Sequence, residues 1–321
     1  MTYIGGKSGD REEKEHLLAG GARSAGGRAW SRRSLLGLAG AGAAGLVLGG
    51  GAMPAQADST SPVNCAESFP TDLVVPFHGD LVSRTELWEQ PTYYLGNTFT
   101  GAYDAAFYHR IEYFLEDWYY LLPTHWRNPM RINVLGVHVD KANSWHMYGR
   151  AIDFASISML DSNGGNRFTA FECAVDTWGT KRDFDIDRRR YWGAVAAINY
   201  RSADVLHYLY NAEHRNHVHM DNGRSGTATT TTFNSGSPVL VKTVQACLTY
   251  IWGISVTIDG IWGPQSDGGV RTALTRIGLT GTISTAANWK AFLHNSTWYG
   301  ARNGYSSSIP PAPTTRPDKP L

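Results

Sequence analysis

The sequence is poor in cysteine, with Cys65, Cys173 and Cys247 as the three among 321 residues. Three thiols form one internal disulfide at most, which excludes a small fold held together by several of them. No serine lies in a Gly-x-Ser-x-Gly motif, which argues against a Ser/His/Asp hydrolase. No pair of glutamates stands out either. This argues against cleavage of glycan strands, since that chemistry needs two positioned carboxylates beside a sugar bond.

A long undiluted apolar run is also lacking. The most apolar stretch, 35–51, is rich in glycine and shorter than the roughly 20 residues of a membrane-spanning helix. It follows the twin arginines Arg32 and Arg33, and Ala55-Gln56-Ala57 then offers a small-x-small cleavage site. Residues 1–57 are therefore predicted to be a twin-arginine signal peptide, and a membrane anchor is the less favoured alternative. We expect a secreted protein without a stable anchor after cleavage.

An excess of one charge is absent as well. Removing the leader, with its seven Lys/Arg and four Asp/Glu, changes the formal net charge from +1 to −2. No basic stripe remains on the mature chain. Nucleic acid is therefore not an expected partner, because its binding depends on clustered positive charge.

Two short runs carry the chemistry that the sequence does contain. The first is Ser-Trp-His-Met-Tyr-Gly-Arg-Ala-Ile-Asp over 144–153, and the second is His-Arg-Asn-His-Val-His-Met-Asp over 214–221. Alternation in a strand puts His217 and His219 on one face. If that strand pairs with one carrying Asp153, then His146, Asp153 and His219 converge. Three N/O donors with a fourth position left for water are typical of a catalytic zinc (Zn²⁺) site.

The combined spacing, rather than either half alone, carries a family resemblance. His146 and Asp153 followed by His-x-His resemble the zinc peptidases that include D-Ala-D-Ala carboxypeptidases, lysostaphin-type endopeptidases and the hedgehog fold. Within that group, Ser-x-His-x-x-Gly-x-Ala-x-Asp is similar to the D-Ala-D-Ala carboxypeptidase and extensin-like branch. The resemblance covers about residues 130–222. It implies Zn²⁺ as the cofactor, with His146, Asp153 and His219 as the ligands.

The resemblance also suggests which residues act on substrate. His217 shares a face with His219 and is the first candidate for the general base or for stabilising the oxyanion. His214 completes a His-x-x-His-x-His pattern like that of bacterial D-Ala-D-Ala carboxypeptidases, and Glu213 is the next candidate base. Dipeptidase relatives carry a glutamate three residues before the last ligand. Asn216 occupies that position here, which weakens the case for a carboxylate base.

A further departure concerns the arginine that those relatives place upstream of the first ligand. His138 stands at the expected position, and Arg131 could replace the arginine only if the strand allowed it to reach the site. Loss of the upstream arginine would lead to an altered substrate choice or to low activity. Ser144 is expected to orient the site through its hydroxyl rather than to attack substrate.

The predicted fold class is α+β, with an antiparallel sheet in the peptidase domain. Apolar residues at helical spacing predict a helix over 107–122, and a second helix is expected from Asp187 as its N-cap through Ile198. A strand over 205–210 is expected to form a hairpin with the strand around His219. His109 is expected on a helix surface and His207 is not expected to bind metal.

A second unit is predicted beyond the sheet. Residues 58–222 form the expected peptidase domain, 223–236 a flexible Gly/Ser/Thr linker, and 237–295 a small all-α domain of three helices. Val-Gln-x-x-Leu and Asp-Gly-x-x-Gly-Pro in that unit resemble peptidoglycan-binding domains of cell-wall hydrolases. Residues 306–321 are predicted to be disordered.

A Cys65–Cys173 disulfide is the expected pairing because both cysteines lie before the linker, although the sequence leaves the pairing open.

Together these features predict a secreted, cell-wall-associated and monomeric zinc metallopeptidase. Its expected partner is peptidoglycan, and its expected activity is that of a D-alanyl-D-alanine carboxypeptidase. A peptidoglycan endopeptidase is an alternative. A catalytically silent wall-binding protein with structural zinc is another.

Overall fold

The computed structural model describes residues 81–139, 144–202, 204–223 and 231–314. All of them fall within one compact unit, Gln56–Leu321. The predicted signal peptide and Cys65 lie outside the described residues. Cys173 and Cys247 are buried free thiols, so no disulfide joins two described cysteines.

The described residues contain ten strands, which form two sheets and pair almost entirely antiparallel. The strands are β1 (Val82–Arg84), β2 (Glu86–Leu87), β3 (Gln90–Tyr94), β4 (Asn97–Thr98), β5 (Gly101–Tyr103), β6 (Trp126–Gly136), β7 (Ala151–Asp161), β8 (Arg167–Glu172), β9 (Asp204–Leu206) and β10 (Val218–Asp221). The main sheet has the order β2-β3-β6-β7-β10-β9, with β4 beside β3 and β8 beside β7. Only the β3–β6 pairing is parallel among the described strands. An antiparallel sheet with helices is therefore present, as the sequence predicts.

Six α-helices accompany the sheets in the described residues. They are α1 (Ala105–Leu121), α2 (Val175–Trp178), α3 (Phe184–Arg201), α4 (Pro238–Ala246), α5 (Pro264–Arg276) and α6 (Ala286–Gly300). Short 3₁₀ helices cover Trp145–Tyr148 and Ala212–Arg215, and a π-helical turn, Cys247–Ile251, continues α4. No described helix combines the length and the apolar character needed to cross a membrane.

The core of the sheet lies on the face covered by α1 and α3. Phe114 of α1 packs edge-on against Phe154 of β7 with ring centroids 5.6 Å apart, and Trp118 meets Phe171 of β8 at 6.3 Å. Asp104 caps α1 by accepting a hydrogen bond from the backbone N–H of Phe107 at 2.9 Å. The predicted helix is thus confirmed, with bounds shifted by one or two residues.

The second predicted helix begins earlier than expected. Its N-cap residue is Asp183 rather than Asp187, and Asp185 and Asp187 lie in the first turn of α3. Carboxylates are favourable there because they face the positive end of the helix dipole. The expected strand over 205–210 is also shorter, since Tyr210 N–H donates to His207 O at 2.7 Å and closes a turn after β9.

The helices after residue 237 pack onto the sheet domain and share its hydrophobic core. The backbones of α3 and α6 approach closely, and a Cβ added at Gly300 would lie 2.8 Å from the Cα of Gly193. His207 beside β9 is fully buried and contacts Val239 O and Thr243 Oγ1 of α4 at 3.3 and 3.1 Å. The predicted boundary between two domains therefore does not coincide with a break in packing.

The segment predicted to be disordered is packed as far as it is described. Residues 306–314 run along α6, where Trp298 Nε1 donates to Pro310 O at 3.0 Å. Ala312 N–H donates to Asn295 Oδ1 at 2.9 Å. The sequence could not indicate these contacts, because main-chain hydrogen bonds to a helix leave no compositional signal. Residues 315–321 lie outside the described part.

Candidate metal centre

Antiparallel pairing of β7 with β10 brings two of the predicted ligands together. Asp153 and His219 are direct partners in the register, and Val218 opposes Phe154. Because side chains alternate along a strand, the apolar partners face the core while Asp153 and His219 share the other face. The neighbouring strand β6 leaves this face open, since Gly136 is the partner of Asp153 and lacks a side chain.

The third predicted ligand, His146, comes from the 3₁₀ helix before β7. Ser144 caps that helix, its Oγ accepting from the backbone N–H of His146 at 3.4 Å. Gly149 ends it in the left-handed region with φ of 63°, and a Cβ there would lie 2.9 Å from Asp104 N. Glycine therefore allows the sharp reversal that turns His146 toward β7.

The three side chains form a buried cluster with spacing suited to a metal ion. Donor atoms of His146, Asp153 and His219 all lie within 4.8 Å of one another. His146 Nε2 is 3.3 Å from Asp153 Oδ2, and His219 Nδ1 is 2.9 Å from Asp153 Oδ1. Ligands held about 2.0–2.1 Å from a tetrahedral zinc are separated by roughly 3.3 Å. The group can therefore hold a metal ion.

The outer ring nitrogens fix which nitrogen of each histidine faces the cluster. His146 Nδ1 lies 2.5 Å from the carbonyl oxygen of Val137, which can only accept, so Nδ1 carries a proton and Nε2 is the nitrogen that would present its lone pair to a metal ion. His219 Nε2 pairs with Asp221 Oδ2 at 3.0 Å, which leaves Nδ1 for the metal position. Such carboxylate and carbonyl partners orient metal-binding histidines in known sites.

The contacts in the cluster favour the ionised forms of Asp153 and His219. Burial opposes ionisation of Asp153, but hydrogen bonds with His146 and His219 outweigh it and lower the pKa of the carboxyl. Burial likewise disfavours the imidazolium of His219, yet hydrogen bonds to Asp153 and Asp221 raise its pKa to about 10. Two carboxylates thus hold one positive charge on His219. A metal ion would replace the proton between His219 and Asp153.

His217 and His214 line one side of the cluster. His217 precedes β10, and its Nε2 lies 3.7 Å from Asp153 Oδ1 while its Nδ1 meets Asn216 Oδ1 at 2.8 Å. The ring of His214 lies 4.8 Å from that of His217 by centroids. Burial, and then the nearby His217 and His219, lower the pKa of His214 to about 3. Burial also lowers the pKa of His217, so both are neutral bases at pH 7.

The remaining sequence candidates are not brought into the cluster. Arg131 extends over the ring of Tyr93 at 5.2 Å, and its register partner is Ser158, five residues along β7 from Asp153. His138 is exposed just after Val137, and Glu213 is exposed in the first turn of the second 3₁₀ helix. His138 and Glu213 are therefore not among the donors that lie within 4.8 Å of one another, although the negative charge of Glu213 acts on His217 against the larger effect of burial on its pKa. Arg131 does not reproduce the upstream arginine of the resembled peptidases.

Residues that the sequence reasoning did not single out form the support of the site. Asp221 is fully buried, and its second oxygen accepts from Gly223 N–H at 2.8 Å. Arg150 holds the same turn, its Nε donating to Asn222 Oδ1 at 3.0 Å while its guanidinium stacks 5.0 Å from the Trp145 ring. Asp221 follows His219 by two residues on one strand face, and that spacing could have identified it.

Comparisons against protein-family models, curated proteins and solved structures gave no match.

Proposed function

We propose that this protein is a secreted zinc-dependent peptidase that hydrolyses a peptide bond of bacterial cell-wall peptidoglycan, with D-alanyl-D-alanine carboxypeptidase activity favoured. The observation that supports the proposal most is the three-donor cluster with its open side next to two neutral histidines. Three protein donors leave a coordination position for water, as in catalytic sites, whereas structural zinc sites use four. This donor number also argues against a silent protein with structural zinc.

Zinc bound by His146, Asp153 and His219 would lower the pKa of a coordinated water toward about 7 and polarise the scissile carbonyl. The chain's own residues would then manage the protons. His217 has its Nδ1–H directed to Asn216, so its Nε2 is a free base facing the cluster. It is placed to take a proton from the attacking water and to pass it to the leaving amine.

His214 supports His217 rather than replacing it. Its Nδ1 lies 2.6 Å from Asn211 Oδ1, which accepts from the ring, so Nε2 is also a lone-pair acceptor. A neutral His214 beside His217 avoids a second positive charge next to the metal ion. Stabilisation of the oxyanion would then depend on zinc itself and on His217 once it is protonated.

The choice of peptidoglycan rests on the resemblances at 144–153, 214–221 and 237–295 and on the predicted export signal. Secretion by the twin-arginine route would place the enzyme at the cell wall. The alternative activity, that of a peptidoglycan endopeptidase, would use the same metal centre and would differ in which peptide bond of the substrate is cleaved there.

Digestion of purified muropeptides by the mature protein, followed by mass spectrometry, tests the proposal. We expect loss of a terminal alanine from pentapeptide stems by the wild type. His217→Ala should keep zinc and lose about 100-fold in rate, because a positioned base contributes roughly that much. His109→Ala, an exposed helix residue, is the matched control and should keep full activity.

An unchanged muropeptide profile with zinc-loaded wild-type protein would refute the peptidase assignment. Loss of zinc from His217→Ala together with its retention in His219→Ala would mean that ligand and base are interchanged.

A further inference from the structure

The face of the main sheet that carries Asp153 continues away from the metal centre as a polar surface. On β6 the buried residues Met130, Ile132 and Val134 alternate with Arg131 and Asn133, which point to the other side. Asn133 Nδ2 donates to Ser156 Oγ of β7 at 2.9 Å across this face. The described residues here are half-buried or exposed, whereas α1 and α3 cover the opposite face.

Two arginines meet at the far end of this polar face. Arg131 is the register partner of Ser158, and Arg167 of β8 donates from its Nη1 to the Ser158 carbonyl and hydroxyl oxygens at 3.3 and 3.4 Å. Arg167 also donates to Pro129 O at 3.1 Å, and Arg131 lies over the Tyr93 ring. Arg167 is thus hydrogen-bonded to the sheet and Arg131 stacks on it, while both residues remain exposed to solvent.

Neither of these arginines forms an ion pair within the described part of the chain. Several other arginines do, namely Arg188 with Asp185, Arg201 with Asp117, Arg215 with Asp176 and Arg271 with Asp267. Desolvation and the positive charge of Arg131 lower the pKa of Arg167, which reflects repulsion between the two. Glu172, one row nearer the metal centre, instead accepts from Ala174 N–H at 3.1 Å.

The separation of this arginine pair from the metal centre matches the length of a short peptide. Ser158 follows Asp153 by five residues on β7, which corresponds to roughly 17 Å along the strand. An extended peptide covers that distance in about five residues. The Asn133–Ser156 pair lies between the two ends and offers polar atoms to a peptide main chain.

We infer that Arg131 and Arg167 form an anion-binding subsite that holds a carboxylate of an extended peptide substrate, about five residues from the bond held at the metal centre. This inference rests on the proposed peptidase function and specifies an acidic peptide longer than a pentapeptide stem, because only four residues precede the terminal bond of a pentapeptide. It therefore favours the endopeptidase alternative of that function. Arginine suits the role because its planar group binds carboxylates with paired hydrogen bonds. The like charges that repel each other in the free protein are both satisfied by one bound carboxylate.

Binding of labelled peptides by fluorescence anisotropy tests the subsite. The probes are Ala/Ser peptides that end in D-Ala-D-Ala and carry one Glu, or Gln in its place, at successive positions before the scissile bond. Zinc-loaded His217→Ala protein serves as the host so that hydrolysis is slow during the binding measurement. We expect Glu to bind about tenfold more tightly than Gln when it lies about five residues away.

Arg131→Gln and Arg167→Gln, each added to that host, should reduce this preference to about threefold or less. Arg271→Gln removes the same charge from a distant helix and should leave the preference intact. Equal binding of Glu and Gln peptides by the host, or an equal loss with Arg271→Gln, would overturn the subsite. Tighter binding of Glu peptides without any hydrolysis by wild-type protein would support the subsite and refute the peptidase function. Hydrolysis with equal binding of Glu and Gln peptides would support the peptidase function and refute the subsite.

Discussion

At the scale of single residues, Asp221 determines how well His219 can bind a metal ion. It fixes the outer nitrogen of His219 at 3.0 Å while Gly223 N–H holds its other oxygen. The contact with His219 is buried and that with Gly223 is partly buried, so water has little access to replace the carboxylate if it is removed. The imidazole would then lose its orientation and part of its basicity.

Asp221→Asn should therefore weaken zinc binding by about 10- to 100-fold, the usual effect of losing such a partner. Asp221 lies on a core strand, so circular dichroism must first show that the variant is folded. Competition with a chelating dye then gives the affinity. Asp176→Asn is the matched control, since Asp176 is exposed and pairs with Arg215. Wild-type zinc affinity in a folded Asp221→Asn variant would contradict this role.

The sequence was sufficient to predict His146, Asp153 and His219 as neighbours, because strand alternation and the glycine before β7 constrain them strongly. It was not sufficient for the Val137 carbonyl, since a main-chain acceptor has no residue signature. It also could not place Arg131. Only the register with Ser158 shows that this arginine lies far from Asp153.

At the scale of elements, His207 joins the turn after β9 to helix α4. Its ring is fully buried between Trp192 and α4, where it contacts Val239 O and Thr243 Oγ1. Burial lowers its pKa to about 4. The unfolded chain, with a histidine pKa near 6.5, therefore binds more protons than the folded chain between these two values.

The contribution of His207 to stability should consequently be complete above about pH 6.5 and fall as the pH drops toward 4. The loss attributable to His207 is roughly 3 kcal/mol, from a shift of about 2.5 units. Urea denaturation at a series of pH values measures it. His207→Gln should reduce this pH dependence, whereas His109→Gln, on the exposed face of α1, should not. The same slope in wild type and His207→Gln would exclude His207 as its source.

The elements were predictable in type but less so in extent. The periodicity of α1 identified that helix because its apolar stripe packs on one sheet. The start of α3 was misplaced, since Asp183, Asp185 and Asp187 all suit a helix beginning and local sequence does not rank them. His207 is covered by α4, a long-range contact that strand alternation cannot reveal.

At the scale of the whole molecule, the helices after residue 237 complete the core of the sheet domain. Helix α6 packs on α3 so closely that Gly193 and Gly300 meet backbone to backbone. The composition of 223–236 predicted a flexible linker between independent units. A Gly/Ser/Thr-rich segment is, however, equally compatible with a loop between packed elements, and only packing distinguishes the two.

A chain ending at residue 222 should accordingly be less stable than the mature protein, with a midpoint of thermal unfolding lower by roughly 10 °C or more. Circular dichroism during heating measures this. Gly300→Ala should destabilise the full chain because the added Cβ meets Arg189 O at 2.7 Å, whereas Gly268→Ala in α5 has open space and serves as the control. An unchanged midpoint in the shortened chain would show that the two segments fold independently.

The central claim is that three side chains from separate elements bind one catalytic zinc ion, and elemental analysis tests it most directly. Purified mature protein, dialysed against trace zinc, should contain about one zinc per chain. His146→Ala, Asp153→Ala and His219→Ala should each lose it, while His109→Ala should retain it. Near-stoichiometric zinc retained in all three ligand variants would contradict the account.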